Sequence, residues 1–222
     1  MLASTKRKRF ISAKIRKPLY ICTVMDKSFL SKLAGLAGSL GINLSKVKNV
    51  IPTAKSGSSK TFTFQAVPQS LAELQAIPEA ALTDAYATAA LTVLALARYE
   101  TDKAACIEML GFLKGPDSVS GAEQQFLTNR FMDGKLYKVR AFFDGATPAN
   151  NYTPSVPYRV KVSSTPYSFD NQNWATLYVH SAGSDSPRPV RLRKKPSTGQ
   201  WFLVEIQFLS DIRPPVAEDK WA

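Results

Sequence analysis

The sequence is poor in the residues on which most recognisable active sites and metal sites depend. Its 222 residues include two cysteines, Cys22 and Cys106, and one histidine, His180. Two cysteines make neither a disulfide framework nor a zinc site, and no cluster of His, Cys, Asp or Glu has metal-site spacing. Gly57 and the serines before Lys60 lack the glycine and the strand–helix context of a phosphate-binding loop. We therefore expect no cofactor and no metal.

Long hydrophobic runs are missing as well. The apolar run near the N terminus, residues 19–24, is too short to span a bilayer and shorter than the core of a signal peptide. Residues 85–97 are apolar, but this stretch is too short and too rich in alanine and threonine for a membrane span. The low cysteine content fits a reducing compartment. We expect no transmembrane segment and a soluble, cytoplasmic protein.

Acidic residues are nearly absent from the first 60 positions. This stretch has 13 Lys/Arg and one acidic residue, Asp26, whereas residues 61–222 have 16 of each sign, so the N-terminal segment carries the whole net charge of +12. Residues 1–24 are predicted to be a disordered basic tail. The alternatives are a tether to nucleic acid or an anionic membrane, and a secretory signal. Because residues 61–222 are neutral in sum, we expect residues 6–17 to make any contact with nucleic acid.

Residues 25–60 are predicted to be an amphipathic helix followed by a linker. Four apolar residues are spaced by three and four positions, as on one stripe of a helix: Phe29, Leu33, Leu36 and Leu40. Gly41 favours the end of this helix, and residues 52–60 have the composition of a flexible linker. The stripe is predicted to dock on its own domain, with the aromatic sheet face described below as the target. The alternative partners are another protein and a second copy of the chain.

Residues 61–222 are predicted to form a single α+β domain in which helices precede the sheet. Residues 61–67 favour an edge strand. Four helices are predicted, which begin after Ser70, after Thr83 or Asp84, at residue 102 and after Ser120. The second of them is apolar on nearly all sides over residues 85–97, which is typical of a buried central helix.

The C-terminal third predicts four antiparallel strands between Tyr158 and Phe208. Alternation places the apolar residues on one face, which should meet the helices: Tyr158, Val160, Val162, Ala175, Leu177, Val179, Val190, Leu192, Phe202, Val204, Ile206 and Phe208. The other face is predicted to carry Trp174, Tyr178, Trp201 and Leu203 among charged residues. Short connections favour antiparallel neighbours. The sequence therefore predicts a layer of about four helices on an antiparallel meander of four or five strands.

A candidate binding surface follows from this second face. It consists of Trp174, Tyr178, Trp201, Arg188, Arg191 and Arg193. Basic and aromatic residues together suit an anion or a nucleic acid, whose bases stack on rings. The alternatives are a solvated strand face and an aromatic surface covered by the Phe29–Leu40 stripe. His180 would have to serve any Ser–His or Cys–His dyad, but a lone histidine on a strand is more often hydrogen-bonded, so no catalytic residue is assigned.

Three motifs, at residues 146–154, 185–189 and 193–202, resemble an uncharacterised bacterial family known as a domain of unknown function. The likeness extends over residues 28–222 and implies no activity. The order of helices followed by a curved sheet also resembles the nuclear-transport-factor-like cone, at the level of fold alone.

The residues favour a non-enzymatic binding or interaction module. The first alternative is a small-molecule-binding or hydrolytic cone with a pocket between helices and sheet. The second is a weak tether to nucleic acid or an anionic membrane through the basic N terminus. A filled helix–sheet interface would favour the binding module, and an enclosed cavity with converging polar groups would favour the cone.

Overall fold

The structure, a computed structural model, describes residues 57–205 and 208–219. The predicted basic tail, the Phe29–Leu40 stripe and most of the predicted linker lie outside the described residues. Among the residues that are described, no helix is both long enough and apolar enough to cross a membrane.

The described elements form an α+β fold, as predicted. The helices are α1 (Leu71–Gln75), α2 (Ala85–Ala97), α3 (Lys103–Lys114), α4 (Gly121–Phe131) and α5 (Tyr137–Arg140). The strands are β1 (Ser59–Phe64), β2 (Tyr158–Ser163), β3 (Trp174–Val179), β4 (Arg188–Lys194) and β5 (Trp201–Glu205). They form one open antiparallel sheet in the order β1-β2-β3-β4-β5, which confirms the predicted meander and the predicted edge strand.

Helix α2 is the buried centre of the fold. It begins after Asp84, whose carboxylate accepts a hydrogen bond of 3.0 Å from the Tyr86 amide in an N-cap. All of its residues from Ala85 to Leu96 are buried. Its two buried threonines are satisfied within the protein: the Thr92 hydroxyl donates to the Thr88 carbonyl over 2.9 Å, and the Thr88 hydroxyl donates to the Trp201 carbonyl over 3.2 Å. The helix can therefore be surrounded on all sides without leaving a hydroxyl unpaired.

Helices α3 and α4 complete the layer, and both begin where their caps predict. Asp102 caps α3, and Ser120 forms a capping box with Glu123 at the start of α4. The inward residues of α3 have no exposed surface: Cys106, Met109, Leu110 and Leu113. Burial raises the pKa of the Cys106 thiol to about 12, so this thiol stays protonated and unreactive at neutral pH.

The inner face of the sheet packs against this layer. Strands β2, β3 and β4 bury the apolar residues that alternation assigns to the inner face: Val160, Val162, Ala175, Leu177, Val179, Val190 and Leu192. Each fully buried aliphatic side chain of this size stabilises the fold by about 1.5–3 kcal/mol before the entropy of ordering is counted.

The prediction of which residues of β5 lie on the inner face and which on the outer face is wrong. Leu203 was expected on the outer face, yet it is 1% exposed and pairs with the buried Leu192. Trp201 shares that inner side, whereas Phe202 pairs with the exposed Arg193 on the outer side. The reason is an irregularity in the β4–β5 register between Arg191 and Leu192, which shifts the alternation by one residue.

The described part of β5 also ends earlier than predicted. Phe208 lies in a turn, not in a strand, although it is buried and meets the ring of Phe142 edge-on at 5.1 Å. The apolar signal at Phe208 therefore marks a core residue correctly but assigns it to the wrong kind of element.

Candidate functional site

The face of the sheet turned away from α2 is called the outer face here. Its members alternate with the buried residues of the strands: Thr61, Thr63, Arg159, Lys161, Ser163, Trp174, Thr176, Tyr178, Arg191, Arg193, Phe202 and Glu205. Four of these residues are basic, and Glu205 is the one acidic residue among them. The outer face is therefore positively charged although residues 61–222 carry no net charge.

Trp174 lies at the centre of this charge. It pairs across the sheet with Arg193, and the neighbouring Thr176 pairs with Arg191. Both guanidinium groups lie 5.3 Å from the centre of the indole ring, within the range of a cation–π contact. Arg191 is held by Glu205, to whose carboxylate it donates over 2.6 Å. Arg193 is exposed and has no ion pair within the described ranges.

A cleft of about 420 Å³, called the Trp174 cleft below, opens beside this ring. Its lining includes the basic side chains Arg193, Lys194 and Lys195 and the apolar side chains Phe202 and Val204. Neither lysine has an ion pair to any other described residue. The cleft thus combines these three cations, against the one carboxylate of Asp117, with an aromatic and aliphatic wall, which suits an anion that carries an apolar or planar part.

Lys114 lines the Trp174 cleft, and Gly115 follows it at the end of α3. The Lys114 ammonium is buried and donates to the Glu123 carboxylate over 2.8 Å and to the Val204 carbonyl over 3.1 Å, which ties α3 and α4 to β5. Burial alone would raise the pKa of Glu123, but hydrogen bonds from Lys114 and Ser120 outweigh it and lower that pKa. Gly115 caps α3 with φ of 65°, and a Cβ there would overlap the ring of Phe202.

A second cavity of about 460 Å³ lies against Trp174. It is lined mainly by polar side chains, those of Asn171, Gln172, Thr176 and Arg191. Because Trp174 lines this cavity as well as the Trp174 cleft, one indole ring is accessible from two recesses of the surface.

The structure brings together four of the six predicted surface residues. Trp174, Tyr178, Arg191 and Arg193 all lie on the outer face. Trp201 does not belong with them: its amide donates to the Leu82 carbonyl over 2.7 Å on the helix side. The Trp201 ring meets Phe169 edge-on at 5.9 Å.

Arg188 is the second exception. It has the same alternation as the buried Val190, and its guanidinium donates to the Asp211 carbonyl over 2.8 Å at the opposite end of β4. The sequence did not predict Phe202 and Lys114 as residues of the cleft. Phe202 depends on the register between β4 and β5, and Lys114 depends on its contacts with Glu123 and Val204, and alternation within one strand reveals neither.

His180 lies at the rim of the outer face, beside a separate cavity of about 300 Å³. Its Nε2 lies 3.0 Å from the Ser163 hydroxyl oxygen, and that hydroxyl donates to the Tyr178 carbonyl over 3.3 Å. When the single Ser163 proton is donated to the Tyr178 carbonyl, His180 donates to Ser163 through a protonated Nε2. A Ser–His dyad needs the reverse arrangement, in which the histidine accepts the proton.

The fold and the site together define a class: an α+β domain whose open antiparallel sheet presents a basic, aromatic outer face. The family model described as "Domain of unknown function (DUF6935)" matches residues 66–216, and the chain belongs to that family. The resemblance to a family of unknown function is thus confirmed. No curated protein and no solved structure matches the chain.

Proposed function

We propose that this domain is a non-enzymatic binding module whose ligand is an anion bearing a planar group. The ligand occupies the Trp174 cleft. The observation that carries the proposal is that Arg193, Lys194 and Lys195, which have no ion pair to any described residue, line one cleft with the indole ring of Trp174 and an apolar wall. Arg193 is the cation at the Trp174 ring, whereas the Lys194 ammonium lies 5.8 Å from the centre of the Trp201 ring.

The packing of the helix–sheet interface favours this function over a cone with an interior pocket. Side chains from both layers have no exposed surface where they meet, among them Leu91 and Leu94 of α2 and Leu177 and Val190 of the sheet. The Trp174 cleft lies instead at the outer edge of the sheet, beside β5. A ligand there would contact exposed side chains such as Arg193 and Lys195 without entering the helix–sheet interface.

The chemistry of the cleft divides the ligand into two parts. The anionic part pairs with Arg193, Lys194 or Lys195, and a guanidinium can hold a phosphate or carboxylate through two parallel hydrogen bonds. The planar part lies against Trp174 or Phe202, where stacked or edge-on rings gain about 0.5–1.5 kcal/mol beyond the area they bury.

The rest of the chain bears on where the module works. The low cysteine content supports a cytoplasmic location. The Phe29–Leu40 stripe remains the proposed contact with the domain, another protein or a second copy of the chain.

Calorimetric titration of the full chain with phenyl phosphate and with inorganic phosphate tests the proposal. Phenyl phosphate should bind more tightly. Arg193→Ser should weaken both ligands, whereas Trp174→Leu should weaken phenyl phosphate alone, by about 0.5–1.5 kcal/mol. Lys103→Ser and Tyr167→Leu remove an exposed cation and an exposed ring elsewhere and serve as matched controls. Equal loss in the controls, or no binding of either ligand, would exclude the Trp174 cleft as the site.

A further inference from the structure

We infer that the outer face binds single-stranded nucleic acid, with the Trp174 cleft holding one nucleotide and the neighbouring strands holding the next ones. The inference rests on the proposed function and names its ligand class. It depends on how the aromatic and basic residues are distributed over four adjacent strands.

The aromatic residues are spaced so that each can take a different base. Trp174 and Tyr178 are four residues apart on β3, or about 13 Å. Phe202 lies two strands away from Trp174 in the same row, at about 10 Å, because Trp174 pairs with Arg193 and Arg193 with Phe202. All three side chains are partly exposed, so part of each is open to a ligand. The Trp174 ring also contacts Arg191 and Arg193, and the Phe202 ring also packs against the core. Bases of any sequence stack on such rings.

The basic residues flank the aromatic strand on both sides. Lys161 projects from β2 beside the Tyr178 end of β3, because Ser163 pairs with Tyr178, and Arg191 and Arg193 project from β4 beside Thr176 and Trp174. Arg159 lies beyond the end of β3 and forms an ion pair with Asp144. A strand of nucleic acid whose bases stack over β3 therefore has cations within reach of its phosphates on either side. Lys161 and Arg193 have no ion pair to any other described residue, so they contact a phosphate without first giving up a carboxylate.

The positive charge of the outer face distinguishes among three possible ligands, which are the N-terminal segment, an acidic peptide and single-stranded nucleic acid. Residues 1–56 contain 12 Lys/Arg against Asp26, so the N-terminal segment has the same sign as the outer face and is a poor match for it. An acidic peptide would match the charge but would leave the three rings without a use. A single strand of nucleic acid uses both features. The neutral sum of residues 61–222 conceals this, because it averages over a face that has four cations and one carboxylate.

The test measures binding of labelled oligothymidine and oligouridine to the full chain at several salt concentrations. Oligomers of about 12 nucleotides should bind more tightly than oligomers of about 4, and should quench the tryptophan fluorescence. Trp174→Leu should lower the affinity at least about fivefold. Arg193→Ser should reduce the slope of log affinity against log salt by about 0.7, the loss of one phosphate contact. The two oligomers show whether the face prefers DNA or RNA.

Three controls make the result decisive. Lys103→Ser and Tyr167→Leu should leave affinity and salt slope unchanged. A variant with Lys6, Arg7, Lys8 and Arg9 all changed to serine should keep the quenching and the length dependence. If that variant loses binding while Trp174→Leu and Arg193→Ser keep it, residues 6–17 are the site and the inference is wrong.

Two further outcomes would also overturn the inference. Polyglutamate that competes as well as an oligonucleotide of equal charge would make the outer face a site for acidic protein. Phenyl phosphate binding without any gain from oligomer length would leave the proposed function standing and remove the nucleic acid. Thermal melting of each variant separates loss of binding from loss of folding.

Discussion

The outer face has two different environments, one around Trp174 and one around His180, and single residues determine the charge of each. At Trp174, the neighbouring guanidinium groups are exposed, and Arg193 is free of carboxylates within the described ranges, so charge is available to a ligand. At His180, by contrast, the ring is already engaged with Ser163, and Lys161 lies near enough to oppose its protonation. The first environment favours capture of an anion, and the second favours a neutral histidine.

The first prediction concerns the pKa of His180. Burial lowers this pKa first and Lys161 lowers it further, while Asp144 acts in the opposite direction and does not compensate. The folded-state pKa should therefore lie below the ordinary value of 6.5. Since His180 is the one histidine of the chain, its ring resonance can be followed by NMR without assignment. Lys161→Gln should raise the pKa towards 6.5, and Lys103→Gln should leave it unchanged.

The lowered pKa of His180 should also make the free energy of unfolding depend on pH. Below pH 6.5 the unfolded chain binds a proton at His180 that the folded chain does not yet accept. The free energy of unfolding should therefore fall as the pH drops from 6.5 through the folded-state pKa, and His180→Gln should remove that part of the pH dependence. A titration midpoint at or above 6.5 in the unmodified protein would contradict this account of the site.

The helices and strands were predictable from the sequence where the residues that determine them lie close together in the chain. The caps at Asp84, Asp102 and Ser120 act within three residues. The helices begin where the sequence predicts, after Thr83 or Asp84, at about residue 102 and after Ser120. The inner faces of β2, β3 and β4 followed from simple alternation. The faces of β5 did not, because the register shift depends on how β5 meets β4 and not on its own residues.

Short and irregular pieces were also beyond the sequence. Helix α5 has four residues and no side-chain cap, so it carries neither a period nor a start signal. Part of the candidate site was predictable, because Trp174, Tyr178, Arg191 and Arg193 follow the regular alternation of β3 and β4. Phe202 and Lys114 enter the site only through the register of β5 and the packing of α3 against it.

The second prediction tests the register shift by comparing two residues that plain alternation puts on one face. Leu203 is buried between sheet and helices, so Leu203→Ala should lower the free energy of unfolding by about 2–5 kcal/mol. Glu205 forms an exposed ion pair with Arg191, so Glu205→Ala should cost less than about 1 kcal/mol. Urea unfolding measures both. Equal costs for the two substitutions would mean that both side chains lie on one face.

The whole molecule is organised by an uneven distribution of charge. The N-terminal segment carries the entire net charge, and the domain behind it is neutral in sum but has a basic outer face. Two positively charged regions in one chain attract the same class of partner. This arrangement supports a module that meets an anionic ligand from outside the chain.

The third prediction is that residues 1–24 are not needed for folding. They hold a cluster of like charges and precede the elements that build the core. A chain that starts at Met25 should melt within about two degrees of the full chain. A decrease of more than about 5 °C, which corresponds to roughly 1 kcal/mol or more for a domain of this size, would show that this segment contributes to the fold.

The most direct test of the central claim is a map of backbone amide shifts during titration of the full chain with phenyl phosphate. If the ligand occupies the Trp174 cleft, the perturbed amides lie in residues 174–178, 191–195 and 201–204, and those of α2 are unchanged. Perturbations confined to the helical layer, to the surroundings of His180 or to the N-terminal segment would contradict it.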